Sequence, residues 1–247
     1  MTHYITLPNH YLAFTLYNNI ESLRGRFNGI KDDIQKRILF LTNYIENPAE
    51  VGSIAPSSRW LSRKIVELIP ENNQKSEVCR YLEVGPGTGP FTEEIVKRLR
   101  KNDELDLVEL DPKFCAELKE KYKHLSNVHI HCKPLEEWHP EYQYDAIISG
   151  LPLNAFPSEV VETIIQSFKS LAKEKGTVSY FEYAFLPTIN KSVLFGEKGK
   201  NFQKVLEIKD LFYKTFGRDK EFVLWNLPPA RVLHFEIKRA DESVSAI

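Results

Sequence analysis

The chain has 247 residues, 42% of them hydrophobic and 27% charged, with a formal net charge of −1. This composition predicts a soluble globular protein with a sizeable core, and the near-zero charge argues against a strongly basic nucleic-acid-binding surface. No apolar run is long enough to cross a bilayer, and the first residues lack a signal-peptide pattern. The three cysteines form no CxxC pair, which predicts reduced, structural, cytosolic thiols.

The first part of the chain predicts helices. Residues 1–50 are interpreted as a helical extension, with an amphipathic helix over 30–46. Basic residues flank the apolar stripe of that helix, so it either packs on its own domain or makes a peripheral contact with an anionic membrane. A second helix over 56–70 has Ser57 or Ser58 as its candidate N-cap.

From residue 79 onwards, strands and helices alternate. Strands are predicted over 79–84, 104–110, 127–132, 144–150, 177–185, 221–227 and 230–239, and helices over 92–100, 111–122 and 158–176. Strands separated by helices form mostly parallel sheets, whereas the last two strands are too close together for a crossover and must be antiparallel. We therefore expect an α/β fold over residues 51–247, a doubly wound, seven-stranded, mostly parallel sheet with an antiparallel C-terminal hairpin.

A glycine-rich turn follows the first predicted strand in the sequence EVGPGTGP. Gly85, Gly87 and Gly89 let the backbone turn sharply and approach a ligand without a Cβ in the way. Glu109 ends the second predicted strand, where an acid suits hydrogen bonds to ribose hydroxyls. The turn therefore predicts a ligand that contains a ribose.

The spacing of this turn differs from the dinucleotide fingerprint G-x-G-x-x-G, because Pro90 occupies the sixth position. The pattern E-x-G-x-G-x-G, which begins at Glu83, resembles motif I of the class I methyltransferases. These enzymes bind S-adenosylmethionine on a Rossmann-like seven-stranded sheet. The resemblance implies that S-adenosylmethionine is the cofactor and that Glu109 holds its ribose.

Three further segments resemble the bacterial phospholipid N-methyltransferases, which methylate phosphatidylethanolamine: NPAEVGSIAPSSR, ISGLPLNAFP and WNLPPARV. The resemblance implies transfer to the amine headgroup of a phospholipid by a cytoplasmic enzyme that contacts the membrane peripherally through residues 30–46. The implied cofactor contacts are Ser57, Ser58, Glu83, Gly85, Gly87, Gly89, Glu109, Leu110, Leu135, Ser149, Gly150 and Leu151. The implied catalytic residues are Ser149 and Tyr183, and the implied substrate contacts are Leu151, Pro152, Tyr183 and Arg231.

Other functions stay open at this point. The chain also resembles the ribosomal RNA adenine dimethylases, but their motif N-[LI]-P-[YF] is matched here by Ser149 to Leu153, which lacks the asparagine and the aromatic ring. Nucleic acid is therefore not the expected partner. Another small-molecule or protein N-methyltransferase is a further alternative. A non-catalytic binding protein is another, because Cys132-Lys133 replaces the Gly-Asp that usually ends strand three.

Two remaining features concern metal and substrate access. His129, His131 and Cys132 are close in sequence, but the alternation of a strand separates the cysteine from the histidines, so no metal site is predicted. The segment 187–220 is an insertion relative to the phospholipid enzymes and has a net charge of +4. It predicts a loop and a helix that act as a lid over the acceptor site or dock on the domain.

Overall fold

The structure is a computed structural model that describes residues 58–70, 77–183, 197–226 and 229–238. Several predicted features lie outside the described residues: the extension over 1–50, its helix over 30–46, Ser57 and the first part of the 187–220 segment. No helix among the residues described is long and apolar enough to cross a membrane.

Seven strands form one sheet in the order β3-β2-β1-β4-β5-β7-β6. Strands β1 to β5 pair in parallel, and β7 pairs antiparallel with both β5 and β6. The predicted α/β fold with an antiparallel C-terminal hairpin is confirmed. The strands are β1 (Arg80–Val84), β2 (Glu104–Glu109), β3 (Val128–Cys132), β4 (Tyr144–Ser149), β5 (Ala172–Tyr183), β6 (Gly217–Val223) and β7 (Ala230–Glu236).

Helices cover both faces of the sheet. The described helices are α1 (Arg59–Ile65), α2 (Pro90–Val96), α3 (Pro112–Tyr122), α4 (Ser158–Leu171) and α5 (Glu197–Phe216). On the first face, apolar side chains of α1, α2 and α3 join one buried cluster with Phe181, Tyr183 and Val232 of the sheet. On the second face, Phe212 of α5 stacks on Phe235 of β7 with ring centroids 4.4 Å apart.

Two helix starts follow from capping side chains that the sequence predicts. The Ser58 side chain accepts a hydrogen bond from the Leu61 N–H at 3.2 Å, and the Asp111 carboxylate accepts one from Lys113 at 2.8 Å. Each bond satisfies one N–H that the first helical turn leaves without a partner. Ser58 is thus an N-cap in this structure.

The prediction of a helix over residues 158–176 is wrong at its end. Helix α4 ends at Leu171, and strand β5 begins at Ala172, which is fully buried. Tyr144 pairs with Ala172 but Ala146 pairs with Thr177, so the intervening residues bulge out of the sheet. The sequence AKEKG favours helix locally, but burial of Ala172 against the neighbouring strand overrides that preference.

The prediction that all three cysteines are free thiols also needs correction. Cys115 of α3 and Cys132 of β3 form a disulfide, with Cα atoms 5.9 Å apart, and Cys79 is buried and outside this disulfide. No local pattern marks this pair, because it is the register of β3 beside β2 that brings the end of β3 under α3.

Candidate functional site

The candidate site lies where β1 ends between β2 and β4. The chain continues from β1 to β2 on one side of the sheet, whereas β4 lies on the other side, so this is a switch point at which α/β sheets bind ligands. Gly85 N–H donates to the Val108 carbonyl at 2.9 Å, and Gly150 N–H donates to the Val84 carbonyl at 2.9 Å. Both neighbouring strands therefore fix the backbone at the end of β1.

Two glycines of the turn have different surroundings. Gly85 has φ +67°, and a Cβ built on it would lie 2.6 Å from Leu151 Cδ2, so the turn packs closely on the loop after β4. Gly87 has φ +56°, and a Cβ there would meet no atom within 4 Å. Gly85 is thus required for packing, whereas Gly87 faces open space that a ligand can enter.

Glu109 ties the end of β2 to this turn. Its Oε2 accepts the Gly87 N–H at 2.9 Å, and its Oε1 accepts those of Leu110 and Asp111 at 2.8 and 2.9 Å. Burial raises the pKa of Glu109, and the three N–H donors oppose that rise because they favour the charged form. The predicted cofactor residues Gly87, Glu109 and Leu110 therefore lie together.

Glu83 lies on β1 beneath the turn and is fully buried. Thr92 Oγ1 donates to its Oε2 at 2.6 Å, whereas its Oε1 has no hydrogen-bond partner among the residues described. Burial raises the pKa of Glu83 to about 8, so the side chain is a neutral acid at pH 7. This unsatisfied oxygen, the open space at Gly87 and the Glu109 carboxylate fit a polar, ribose-containing ligand.

The end of β3 forms another side of the site, where Cys132-Lys133 stands in place of the usual Gly-Asp. Lys133 N–H donates to the Glu109 carbonyl at 3.0 Å, and its Nζ lies 5.7 Å from the ring centroid of Trp138. Trp138 also stacks on His131, with centroids 3.9 Å apart. Leu135 is buried at the start of the short 3₁₀ turn that follows. This side is therefore apolar and aromatic, with Lys133 directed onto Trp138.

The loop after β4 lies on the other side of Gly85. Ser149 is fully buried, and its Oγ accepts the Leu151 N–H at 3.3 Å. A Cβ on Gly150 would collide with the carbonyl oxygen of Gly85, so this position also needs glycine. Pro152 leads into a short 3₁₀ turn, Leu153–Ala155. The predicted residues of this loop therefore contact the glycine turn.

Tyr183 and Arg231 are predicted substrate contacts that the structure places on opposite faces of the sheet. Tyr183 is the last residue of β5 and belongs to the buried cluster on the first face. Arg231 Nη2 lies 2.6 Å from Glu182 Oε1, and Glu182 precedes Tyr183 and therefore points to the second face. Arg231 thus forms an ion pair with Glu182.

Sequence reasoning missed the charged cluster around Glu182. Lys209 of α5 is buried and donates to both Glu182 and Asn154, which belongs to the turn after β4. Burial lowers the pKa of Lys209. Burial would raise the pKa of Glu182, but the charge and hydrogen bond of Lys209 together with the charge of Arg231 lower it overall. The sequence feature that could have revealed this buried cluster is Lys209 itself, a lysine within the apolar stripe of α5.

The histidines near the end of β3 have carboxylate partners. His129 Nε2 lies 2.6 Å from Glu104, His131 Nε2 lies 2.6 Å from Asp106, and Cys132 is in the disulfide. A different group with metal-ligand chemistry, Glu67, Glu221 and His234, lies between α1 and the sheet edge. Lys64 contacts both of its carboxylates and offsets one of their two negative charges.

The comparisons with known proteins agree with this geometry. A family model described as a methyltransferase domain matches residues 82–176, which include the glycine turn, Glu109 and the loop after β4. The chain belongs to the class I S-adenosylmethionine-dependent methyltransferases, and its cofactor is S-adenosylmethionine. The protein is therefore an enzyme, a methyltransferase, as the relatives described next also indicate.

Within that class, the chain is similar to the ornithine lipid N-methyltransferase of Singulisphaera acidiphila. The two are 31% identical over 200 residues, which are 78% of this chain and 91% of the relative. The malonyl-[acyl-carrier protein] O-methyltransferase 1 of Ilyobacter polytropus is 26% identical over 58% of this chain and 56% of its own length. The fold is similar to that of N-methyltransferase NodS from Bradyrhizobium japonicum, with a TM-score of 0.54, 13% identity and coverage of 73% and 97% of the two chains.

Proposed function

We propose that the protein transfers methyl groups from S-adenosylmethionine to the amine of a lipid headgroup, of the phosphatidylethanolamine or ornithine lipid kind. The similarity to a lipid N-methyltransferase over nine tenths of that relative's length carries the proposal. The residues after β4 add support, since Ser149 to Leu153 lack the asparagine and the aromatic ring that adenine dimethylases use. Residues 30–46 are proposed as a peripheral membrane contact on the sequence pattern alone.

The residues of the glycine turn would hold the cofactor. Glu109 would accept the ribose hydroxyls, Glu83 Oε1 would find a polar partner, and Gly87 would let the ligand approach the backbone. When bound, the cofactor supplies a methyl group already activated on a sulfonium, so the protein has mainly to align the acceptor and to exclude water. Leu135 and Leu151 would form apolar walls for it.

The acceptor amine must reach the site without its proton, because only the lone pair can attack the methyl group. Ser149 and Tyr183 end neighbouring strands at the same edge of the sheet, but Ser149 pairs with Tyr180 and lies on the second face, so Tyr183 is the residue proposed to orient the amine. The rings of Phe181 and Tyr183, with centroids 5.5 Å apart, would hold a methylated ammonium by cation–π attraction. Arg231, paired with Glu182, would contribute indirectly by fixing the end of β5.

Methylation assays with defined acceptors test this proposal. Purified protein and S-adenosylmethionine are incubated with detergent micelles that contain phosphatidylethanolamine, ornithine lipid or phosphatidylglycerol, which has no amine. We expect mass spectrometry to find methyl groups on an amine lipid and none on phosphatidylglycerol. The Glu109→Ala variant controls for activity that co-purifies from the host.

Other outcomes are equally informative. Methylation of malonyl-[acyl-carrier protein] and of neither amine lipid would contradict the proposal and favour a carboxylate acceptor, in line with the second relative. Tyr183→Phe keeps the aromatic ring and removes the hydroxyl. A loss of kcat in this variant with unchanged cofactor affinity would assign the hydroxyl to the acceptor step.

A further inference from the structure

Four large apolar side chains are exposed at one corner of the domain. Trp60 of α1 is 59% exposed, Phe222 of β6 is 61% exposed, and Leu224 and Trp225 in the turn after β6 are 71% and 81% exposed. Single exposed apolar residues are ordinary, but several at one edge of the sheet, two tryptophans among them, indicate an interaction surface. We call these four residues the aromatic corner.

A hydrogen bond between two elements brings the two tryptophans to one corner. Ser58 N–H donates to Asn226 Oδ1 at 2.9 Å, which joins the start of α1 to the turn after β6. Trp60 lies two residues after Ser58, and Trp225 lies one residue before Asn226. The two tryptophans therefore lie on the same corner although 165 positions separate Trp60 and Trp225 in the sequence.

The aromatic corner lies at the same edge of the sheet as the candidate acceptor site. Strand β6 runs parallel to β5, so both end at this edge, and β7 links them by pairing Ala230 with Val223 and with Tyr183. The Arg231 guanidinium lies 5.9 Å from the Phe222 ring centroid. Phe222 and Arg231 lie on the second face and Tyr183 on the first, so a surface that docks at this corner shares with Tyr183 the edge at which β5 and β6 end.

The charges near the corner favour an anionic surface. Arg59 and Arg63 are exposed on α1, four residues apart, and Arg63 Nε lies 4.0 Å from the buried Glu94 carboxylate, which Lys97 and Arg98 also contact. Tryptophan is enriched where hydrocarbon meets lipid headgroups, and basic residues near an anionic bilayer are attracted to it. Acids close to the corner, Glu67 and Glu221, are already paired with Lys64.

We propose that the aromatic corner is a membrane-docking surface, with Trp60, Phe222, Leu224 and Trp225 inserted between the headgroups of an anionic bilayer while Arg59 and Arg63 contact lipid phosphates. This inference rests on the proposed function, because docking here presents headgroups to the acceptor site without extracting a lipid from the bilayer. The residues of this surface differ from those of the 30–46 segment.

Quenching of tryptophan fluorescence tests the docking. The chain has three tryptophans. The third, Trp138, follows β3, which lies at the opposite end of the sheet from β6, and its indole N–H donates to the Tyr144 hydroxyl at 2.8 Å. Vesicles of phosphatidylethanolamine and phosphatidylglycerol, with lipids brominated along the acyl chain, should quench Trp60 and Trp225. Trp138 should stay unquenched, so the Trp60→Ala/Trp225→Ala double variant should show no quenching.

Vesicle sedimentation gives the second measurement. We expect the double variant to bind these vesicles about tenfold or more weakly, since burial of each tryptophan contributes apolar area. Leu211→Ala is the matched control, because Leu211 is 67% exposed on α5 of the second face. Titration with S-adenosylhomocysteine should give the same affinity for all three proteins, which shows that the variants are folded.

Two results would overturn the docking proposal. One is vesicle binding by the double variant as tight as that of the unmodified protein, which would place the contact elsewhere. The other is unquenched Trp60 and Trp225 in vesicle-bound protein, which would assign the corner to a protein partner. Failure of the proposed function looks different: quenching without methylation of any amine lipid in micelles would leave the docking surface intact and refute the substrate.

Discussion

The backbone N–H of Gly87 donates to the Glu109 carboxylate at 2.9 Å, so the acid that ends β2 holds the glycine turn that follows β1. The N–H groups of Leu110 and Asp111 bind the other oxygen of the same carboxylate. Three donors thus fix the orientation of one buried acid. Glu109 is therefore part of the architecture of the turn as well as the proposed ribose ligand.

The Glu109→Ala variant should lose both roles. Hydrogen bonds to charged groups contribute about 1.5–3 kcal/mol, so we expect S-adenosylhomocysteine to bind about tenfold or more weakly in calorimetric titration. Urea unfolding should show a loss of about 1–3 kcal/mol from buried N–H groups without an acceptor. Glu104→Ala, at the exposed start of the same strand, should change stability by less than about 1 kcal/mol. Unchanged cofactor affinity in Glu109→Ala would contradict the assignment.

Substitution of Gly85 and of Gly87 by alanine should distinguish the glycine needed for packing from the glycine needed for ligand approach. Both positions have positive φ, so each substitution costs about 1–2 kcal/mol of strain. Gly85→Ala also overlaps Leu151 and should destabilise by about a further 1–3 kcal/mol, part of which Leu151→Ala should restore. Gly87→Ala should stay folded and lose cofactor affinity. Equal stability of the two variants in urea would show that the overlap with Leu151 is harmless.

The cluster of Lys209, Glu182 and Arg231 should respond asymmetrically to substitution. Glu182→Gln leaves two cations facing each other in a buried place, so we expect a loss of about 3–5 kcal/mol. Lys209→Met should cost less, because Arg231 still neutralises Glu182 and the methionine keeps the apolar contacts of the stem. Urea unfolding of both variants tests the order. The opposite order would mean that Lys209, and not Glu182, holds the cluster together.

The buried acid Glu83 should make stability depend on pH. Its pKa is raised from 4.5 to about 8, so the folded protein binds this proton more tightly than the unfolded chain does. The resulting stabilisation is fully present below pH 4.5 and is lost as the pH rises towards 8, with a slope of up to about 1.4 kcal/mol per pH unit. Glu83→Gln cannot ionise, so urea unfolding across this pH range should show a shallower slope. An identical slope would mean that Glu83 is ionised in the folded protein.

Opening the Cys115–Cys132 disulfide should destabilise the domain. The bond joins residues 17 positions apart, and a loop of this length corresponds to about 3 kcal/mol in the chain-entropy account. We expect a reductant to lower the unfolding midpoint of the unmodified protein and to leave that of Cys115→Ser/Cys132→Ser unchanged. Cys79→Ser should retain the response to reductant. A midpoint that does not respond to reductant in any of the proteins would show that the thiols are not joined in solution.

The succession of strands and helices along the chain and the position of the glycine turn could be predicted from the sequence. Both depend on local patterns: apolar runs for the buried strands, and glycines with an acid 24 residues after Gly85 for the turn. The caps at Ser58 and Asp111 were predictable for the same reason, since a cap involves residues two or three positions apart.

The features that sequence reasoning missed all depend on contacts between distant segments. Ala172 begins a strand because Tyr144 lies beside it, and Arg231 pairs with Glu182 because β5 and β7 are neighbours. The disulfide forms because β3 ends beneath α3. Periodicity cannot reveal such contacts, because each partner is ordinary within its own segment.

The position of β7 has a consequence for how the chain is made. Strand β7 lies between β5 and β6, although both of these precede it in the sequence. During synthesis, one edge of the 12-residue strand β5 therefore has no native partner until translation has passed Glu236. An unpaired strand edge is a template for pairing with another chain. The edge of β5 can thus pair with another chain until β7 has left the ribosome, and this is the stage at which a chaperone would protect the nascent protein.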